Sequence, residues 1–131
     1  MVGILALQGN YQMHYDMLCN IGAKCLFVKD LNDLKKCKGL VIPGGESTVI
    51  SKMMVRYNLL DPIREFSKQN SIFGTCAGLI LMSNYNSDNI QSLNIMDVNI
   101  LRNGWGRQIH SFTKDIDINI KQTIKNFKAT F

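Results

Sequence analysis

Residues 71–83 read Ser71-Ile-Phe-Gly-Thr-Cys-Ala-Gly-Leu-Ile-Leu-Met-Ser83. Residues 71–73 form a short apolar strand, 74–78 a sharp turn and 77–83 a helix. Glycine–x–nucleophile–x–glycine between a strand and a helix is the pattern of a nucleophile elbow. The backbone doubles back there, and side chains at Gly74 and Gly78 would clash. The turn lifts the sulfur of Cys76 into a cleft at a helix N-terminus, where the N–H of Ala77 is a candidate oxyanion donor. Taken alone, the same residues also fit a buried cysteine in a tight turn.

Working outward, the upstream chain repeats this strand–turn–helix grammar. Residues 2–7 are a buried strand ending at Gln8-Gly9. Asn10 is a candidate cap for a helix through about Cys19, with Met13, Met17 and Leu18 on one face and Gly22 at its stop. Residues 25–28 are a second strand, 31–38 a connector with room for one helical turn, and 39–42 a third strand broken by Pro43-Gly44-Gly45. Ser47 opens a helix toward Tyr57, and Asp61-Pro62 starts another that runs to about Gln69. Every crossover is long enough to join parallel strands, which predicts an α/β fold with an open, doubly wound, mostly parallel sheet and helices on both faces. Ligands of such sheets bind at the carboxyl ends of the strands. Beyond Ser83 the texture changes. Residues 84–92 are polar and loop-like, 95–101 and 116–120 alternate as half-buried antiparallel strands do, and 127–131 begin a further strand.

A second glycine turn, Pro43-Gly-Gly-Glu-Ser-Thr48, follows the third strand and opens a helix, so its N–H groups face the same cleft as Cys76. Its glycines allow close backbone approach to a ligand. Gly45 is a second candidate oxyanion donor, and Glu46 and Ser47 are candidates to read the polar end of a substrate. By itself it fits a capped helix start better. A third stretch holds Arg102 with Gly106-Arg107-Gln108. A guanidinium clamps carboxylates, although a surface arginine beside a hairpin loop has the same sequence.

The bulk properties exclude several classes. The chain has 131 residues, 46% of them hydrophobic and 19% charged, enough for one domain with a core of its own. The net charge of +5 is scattered, with Lys35, Lys36 and Lys38 as its densest cluster and no aromatic interleaving, so no nucleic acid is expected as a partner. Cys19, Cys25, Cys37 and Cys76 show no metal-ligand spacing, and no P-loop or dinucleotide fingerprint follows a strand. Neither metal nor other cofactor is expected. The apolar N-terminus is too short for a signal peptide or a membrane span, so no membrane partner is expected and a reducing, cytoplasmic setting is.

Together these motifs resemble the glutaminase subunit of pyridoxal 5'-phosphate synthase, a class I glutamine amidotransferase. The likeness rests on Leu5-Ala-Leu-Gln-Gly9, a first-helix histidine at His14, Gly39-Leu-Val-Ile-Pro-Gly-Gly-Glu-Ser-Thr48 and Phe73-Gly-Thr-Cys-Ala-Gly-Leu-Ile80. It extends to Arg102-Asn-x-x-Gly-Arg-Gln-x-x-Ser-Phe112, which separates this family from other class I amidotransferases. The resemblance implies a flavodoxin-like, three-layer α/β/α fold. It implies that Cys76 attacks the side-chain amide of L-glutamine to form a thioester, with Gly45 and Ala77 holding the oxyanion. Gly45, Glu46, Ser47 and Arg102 would bind the glutamine, and Gln8 would lie toward a synthase subunit that receives the ammonia.

The family completes its triad with a histidine and a glutamate in a His-Pro-Glu stretch that these residues do not contain. The expectation is therefore a single amidotransferase domain over 1–131 lacking its C-terminal part and last strands, weak as an enzyme on its own. The alternative is a non-catalytic docking remnant. Of the two histidines, His14 reads as a packing or interface residue and His110 as a surface one.

Overall fold

The computed structural model describes residues 1–102, 112–120 and 123–130. They fall into two units, Met1–Ile100 and Leu101–Phe131. The first contains, in chain order, β1 (Val2–Leu5), α1 (Tyr11–Asn20), β2 (Cys25–Val28), α2 (Leu31–Leu34), β3 (Gly39–Ile42), α3 (Ser47–Arg56), α4 (Leu60–Ser67), β4 (Ser71–Gly74) and α5 (Ala77–Met82). Its four strands are all parallel in the order β2-β1-β3-β4. The expected mostly parallel α/β sheet is present, and the connector 31–38 does contain one helical turn.

The register determines which side chains share a face. Leu5 pairs with Val28, and Gly3 with Leu26 and Leu40, so these residues and Ile42 line one side of the sheet. There they join Ile50, Met54, Ile63, Ala77, Leu81 and Met82 from α3, α4 and α5, and Leu59 just before α4, in the main core. A side chain at Gly3 would come within 2.6 Å of Cys37 Sγ and of Val28 Cγ2, which is why this core strand carries a glycine. Ile4, Phe27, Val41 and Phe73 lie on the other side, where Tyr11 and Tyr15 of α1 cover Phe27 at ring-centroid distances of 5.5 and 4.7 Å. Helices thus flank both faces, a three-layer arrangement.

Several local expectations change. Helix α1 turns its aromatic residues to the sheet and leaves Met13 and Met17 exposed. Asn10 makes no side-chain cap; its N–H donates to Gly44 O at 2.9 Å instead. Gly22, at φ +84°, does end α1: its N–H donates to Cys19 O and that of Ala23 to Leu18 O, closing a Schellman motif. Asn58, at φ +52°, plays the same part after α3, with Asn58 N–H to Val55 O and Leu59 N–H to Met54 O. Helix α4 begins at Leu60, one residue before the expected cap Asp61, whose carboxylate accepts from Arg64 Nη1 at 2.8 Å.

Residues 95–101 are not the expected strand. The N–H groups of Ile95 and Met96 both donate to Met82 O at 3.0 Å, and Val98 O accepts from Asn84 N–H at 3.3 Å. The free end of α5 supplies the partners that a ladder would have supplied. The preceding polar stretch is a loop, as expected, but one held down at several points. Ile90 and Leu93 are buried in the core, Ser51 hydroxyl donates to Gln91 O, and Arg64 holds Ser92 O and Leu93 O. The second unit is an antiparallel pair, β5 (Thr113–Ile120) with β6 (Thr123–Thr130), which agrees with the strands expected at 116–120 and, apart from Phe131 outside the described residues, at 127–131. Asp115 faces Lys128, and Asn126 Nδ2 donates to Asp117 Oδ1 at 3.1 Å. No helix among the described residues is long and apolar enough to cross a membrane.

Candidate active site

Strands β1, β3 and β4 are neighbours, so the turns at their carboxyl ends lie side by side. Cys76 occupies the last of these turns with φ 50° and ψ −106°. A left-handed φ on a residue with a Cβ stores strain and persists only where its surroundings hold it. Here Thr75 N–H donates to Ile42 O at 3.1 Å, Gly78 N–H to Thr75 O at 2.8 Å and Ile80 N–H to Cys76 O at 3.2 Å. The elbow is thereby tied to β3 on one side and to α5 on the other. A Cβ at Gly74 would lie 2.6 Å from Met82 Sδ and 2.8 Å from Gly78 C, and one at Gly78 would run into the Ile42 carbonyl. Gly74 is required by the doubling-back of the chain, as expected; Gly78 is required by its packing against Ile42 of β3.

The thiol so presented is exposed, whereas Ala77 behind it is buried. As the first residue of α5, Ala77 has an N–H without an intrahelical acceptor. The loop after β3 runs alongside. A Cβ at Gly44 would touch Cys76 Cβ at 3.4 Å, which places the Gly44-Gly45 backbone beside Cys76. This loop interlocks with the turn after β1. Glu46 N–H donates to Gln8 Oε1 at 2.9 Å, and Asn10 N–H to Gly44 O at 2.9 Å. A Cβ at Gly45 would come 2.6 Å from Gln8 Oε1 and 2.8 Å from Gly9 Cα, and one at Gly9 would overlap the Gly44 carbonyl. Close backbone approach is thus what these glycines permit.

The structure therefore brings Cys76, Ala77, Gly45, Glu46 and Gln8 to one end of the sheet. Glu46 is exposed there, while the Ser47 side chain is buried at the first position of α3. Arg102 is exposed and belongs to the other unit. Gly106, Arg107, Gln108 and His110 lie outside the described residues. Two contacts were not legible in the sequence: the Gln8 amide oxygen turned onto the Glu46 N–H, and His14 Nε2 hydrogen-bonded with Thr75 Oγ1 at 3.0 Å. No pattern links positions 14 and 75; only the crossing of α1 over the sheet does.

Among the described residues no cluster of metal-ligating side chains is present. The remaining cysteines differ from Cys76 in setting. Burial raises the thiol pKa of Cys37, whose Sγ donates to Asp33 O at 3.3 Å. Burial, and then neighbouring Cys19, raise that of Cys25. A cleft of about 350 Å³ between α2 and α4, lined by Leu31, Leu34, Pro62 and Phe66 among others, includes none of the candidate residues. What the strand ends can do chemically is present a sulfur nucleophile beside backbone N–H groups, the components of acyl transfer.

Residues 4–131 match the model of the SNO glutamine amidotransferase family. The chain is 43% identical over 131 residues to the pyridoxal 5'-phosphate synthase subunit PdxT of Listeria monocytogenes serotype 4a (strain HCC23), covering 99% of this chain and 69% of that protein. It is 45% identical over 120 residues to the PdxT subunit of Listeria welshimeri, covering 91% and 64%. The Oenococcus oeni PdxT subunit is 43% identical over 119 residues, covering 90% and 62%. The chain thus spans about two thirds of the length of these relatives. A crystal structure of a glutamine amidotransferase superposes with a TM-score of 0.81 at 32% identity, over 99% of this chain and 69% of that one.

Proposed function

Because the chain belongs to the SNO glutamine amidotransferase family, we propose that its strand ends hydrolyse L-glutamine and pass the ammonia to a synthase subunit that makes pyridoxal 5'-phosphate. The observation that carries this reading is Cys76, held exposed at a left-handed φ beside the Gly44-Gly45 backbone. The sulfur attacks the side-chain amide carbon of glutamine. The carbonyl oxygen becomes an oxyanion, held by the N–H groups of Gly45 and Ala77. Collapse breaks the C–N bond, the nitrogen leaves as ammonia after gaining a proton, and a glutamyl thioester remains. Water then attacks the thioester and releases glutamate and the thiol. Gly45, Glu46 and Ser47 bind the glutamine. Gln8 lies toward the synthase subunit. Residues 1–131 form part of one amidotransferase domain working in the cytoplasm.

Proton transfer limits what these residues do alone. The sequence has two histidines and no His-x-Glu stretch. General acid–base catalysis contributes about 10²–10⁴-fold, so residues 1–131 by themselves are weak as a glutaminase. A second reading, docking on the synthase subunit without hydrolysis, is favoured by one observation. Met13, Met17 and Ile21 stand 70%, 65% and 73% exposed at successive turns of α1 and just beyond it. The experiment is ammonia release from glutamine by this chain with and without the synthase subunit, beside a Cys76→Ala control. Release that depends on the synthase and disappears in the control supports hydrolysis. Binding of the synthase with no release above the control supports docking instead.

A further inference from the structure

We propose that His14 is a positioning residue for the Cys76 nucleophile and acts through the hydroxyl of Thr75. The proposal rests on the glutaminase reading for its kinetic arm, and on geometry for the rest. Cys76 is strained at φ 50°, and such a residue keeps its place only if its neighbours are held from several directions. The backbone of Thr75, immediately before it, is tied to β3 through Ile42 O and to α5 through Gly78 N–H. One tie runs to the strand beside β4 and the other to the helix that the turn opens. The third tie is the side chain: Thr75 Oγ1 and His14 Nε2 are 3.0 Å apart across 61 residues of sequence.

His14 is well placed to serve as this anchor. It is half-buried in the second turn of α1, and α1 is itself pinned at two points. At its start Asn10 N–H donates to Gly44 O at 2.9 Å, and along its length Tyr11 and Tyr15 pack on Phe27 of β2. The imidazole thus stands on a fixed helix and reaches the residue that sets the direction of the Cys76 Cα–Cβ bond. Because Nε2 is engaged with Thr75, His14 acts on the sulfur through the backbone of the elbow and not as its general base. One hydrogen bond also ties the elbow to α1, and so to the same helix that holds the Gly44 loop. Nucleophile and neighbouring N–H groups are thereby set relative to one another from a common support. Displacing a reacting atom by about 1 Å costs up to roughly a hundredfold in rate, so a support of this kind belongs to catalysis even without touching substrate.

The test uses the full chain with the synthase subunit. His14→Leu and Thr75→Val remove the hydrogen bond from either end. His14→Gln keeps an amide group near the Nε2 position, and Thr75→Ser keeps the hydroxyl. Each of the two disruptive variants is expected to lower kcat for glutamine hydrolysis about tenfold with KM changed by less than about twofold. The double variant is expected to be no worse than either single one, and the Gln and Ser variants to recover most of the rate. In parallel, the rate at which iodoacetamide alkylates Cys76 is followed by peptide mapping, which needs no glutaminase activity. It should shift alike in His14→Leu, Thr75→Val and the double variant. Unchanged kcat and alkylation rates, multiplying losses in the double variant, or a loss confined to KM would each overturn the proposal. If the wild-type chain releases no ammonia, the glutaminase reading fails and the alkylation series alone decides the role of His14. If the Val variant does not fold by its urea transition, Thr75→Ala, which also lacks the hydroxyl, replaces it.

Discussion

Replacing Gly74 by alanine puts one methyl group into the crowded turn that carries Cys76. The added Cβ would lie 2.6 Å from Met82 Sδ, 2.8 Å from Gly78 C and 2.9 Å from Gly78 O. Carbon atoms pack at about 3.5 Å or more, so the first turn of α5 must retreat by roughly 0.7 Å. The methionine sulfur can swing aside freely, but the Gly78 backbone moves only at a cost. It is held by its own N–H bond to Thr75 O at 2.8 Å and is wedged against the Ile42 carbonyl. Overpacking of this kind costs about 1–3 kcal/mol. Against it, alanine restricts the unfolded chain more than glycine and returns about 0.4–1 kcal/mol. The clash wins, and the net loss is about 1–2 kcal/mol. With a urea slope of about 2 kcal/mol per molar, the denaturation midpoint falls by roughly 0.5–1 M. The same retreat moves Cys76, so the assay pairs urea denaturation with the rate of Cys76 alkylation by iodoacetamide. A Gly74→Ala chain with a midpoint equal to or above that of the wild type would refute the steric account of the elbow.

Three further outcomes are expected. Brief iodoacetamide treatment of the native chain should label exposed Cys19 and Cys76 while leaving Cys37, only 5% exposed, unmodified; early labelling of Cys37 by peptide mapping would mean that its cover opens readily. Leu81→Ala, at a fully buried position between α5 and the main core, should cost about 2–5 kcal/mol in urea denaturation, and a change within experimental error would show that the core collapses around the gap. Burial raises the Cys37 and Cys25 thiols above the usual value of 9.0, so the folded state holds their protons longer than the unfolded state does. Their contribution to stability is therefore fully present below about pH 9 and is lost as pH rises through the folded pKa values, and a urea midpoint that climbs between pH 8 and 10 would contradict that sign.

The chemistry-bearing turns were legible in the sequence because each is a local arrangement. Gly74 precedes Cys76 for a steric reason that acts within five residues, whereas Gly78 is required by Ile42 of the neighbouring strand; the pair Gly44-Gly45 announces close backbone approach whatever it approaches. The parallel sheet was legible too, since short apolar runs separated by helix-length segments leave few other topologies. The expected strand at 95–101 failed for a different reason. Alternation records which side chains prefer burial but not where the N–H groups find acceptors, and the end of α5 supplied those acceptors. Ile90 and Leu93 were hidden in the same way, as apolar anchors within a polar stretch that Ser51 and Arg64 hold down from other helices.

The sequence by itself determined the cysteine elbow, the glycine turns and the succession of strands along the chain, because those depend on neighbours along the chain. Only the tertiary structure decided what each turn touches. Gln8 reaches Glu46 across 38 residues, and His14 reaches Thr75 across 61, because parallel strands place their carboxyl ends together and a helix must cross the sheet between them. Contacts of that range leave no spacing or period in the sequence; they exist only once the sheet has set its register.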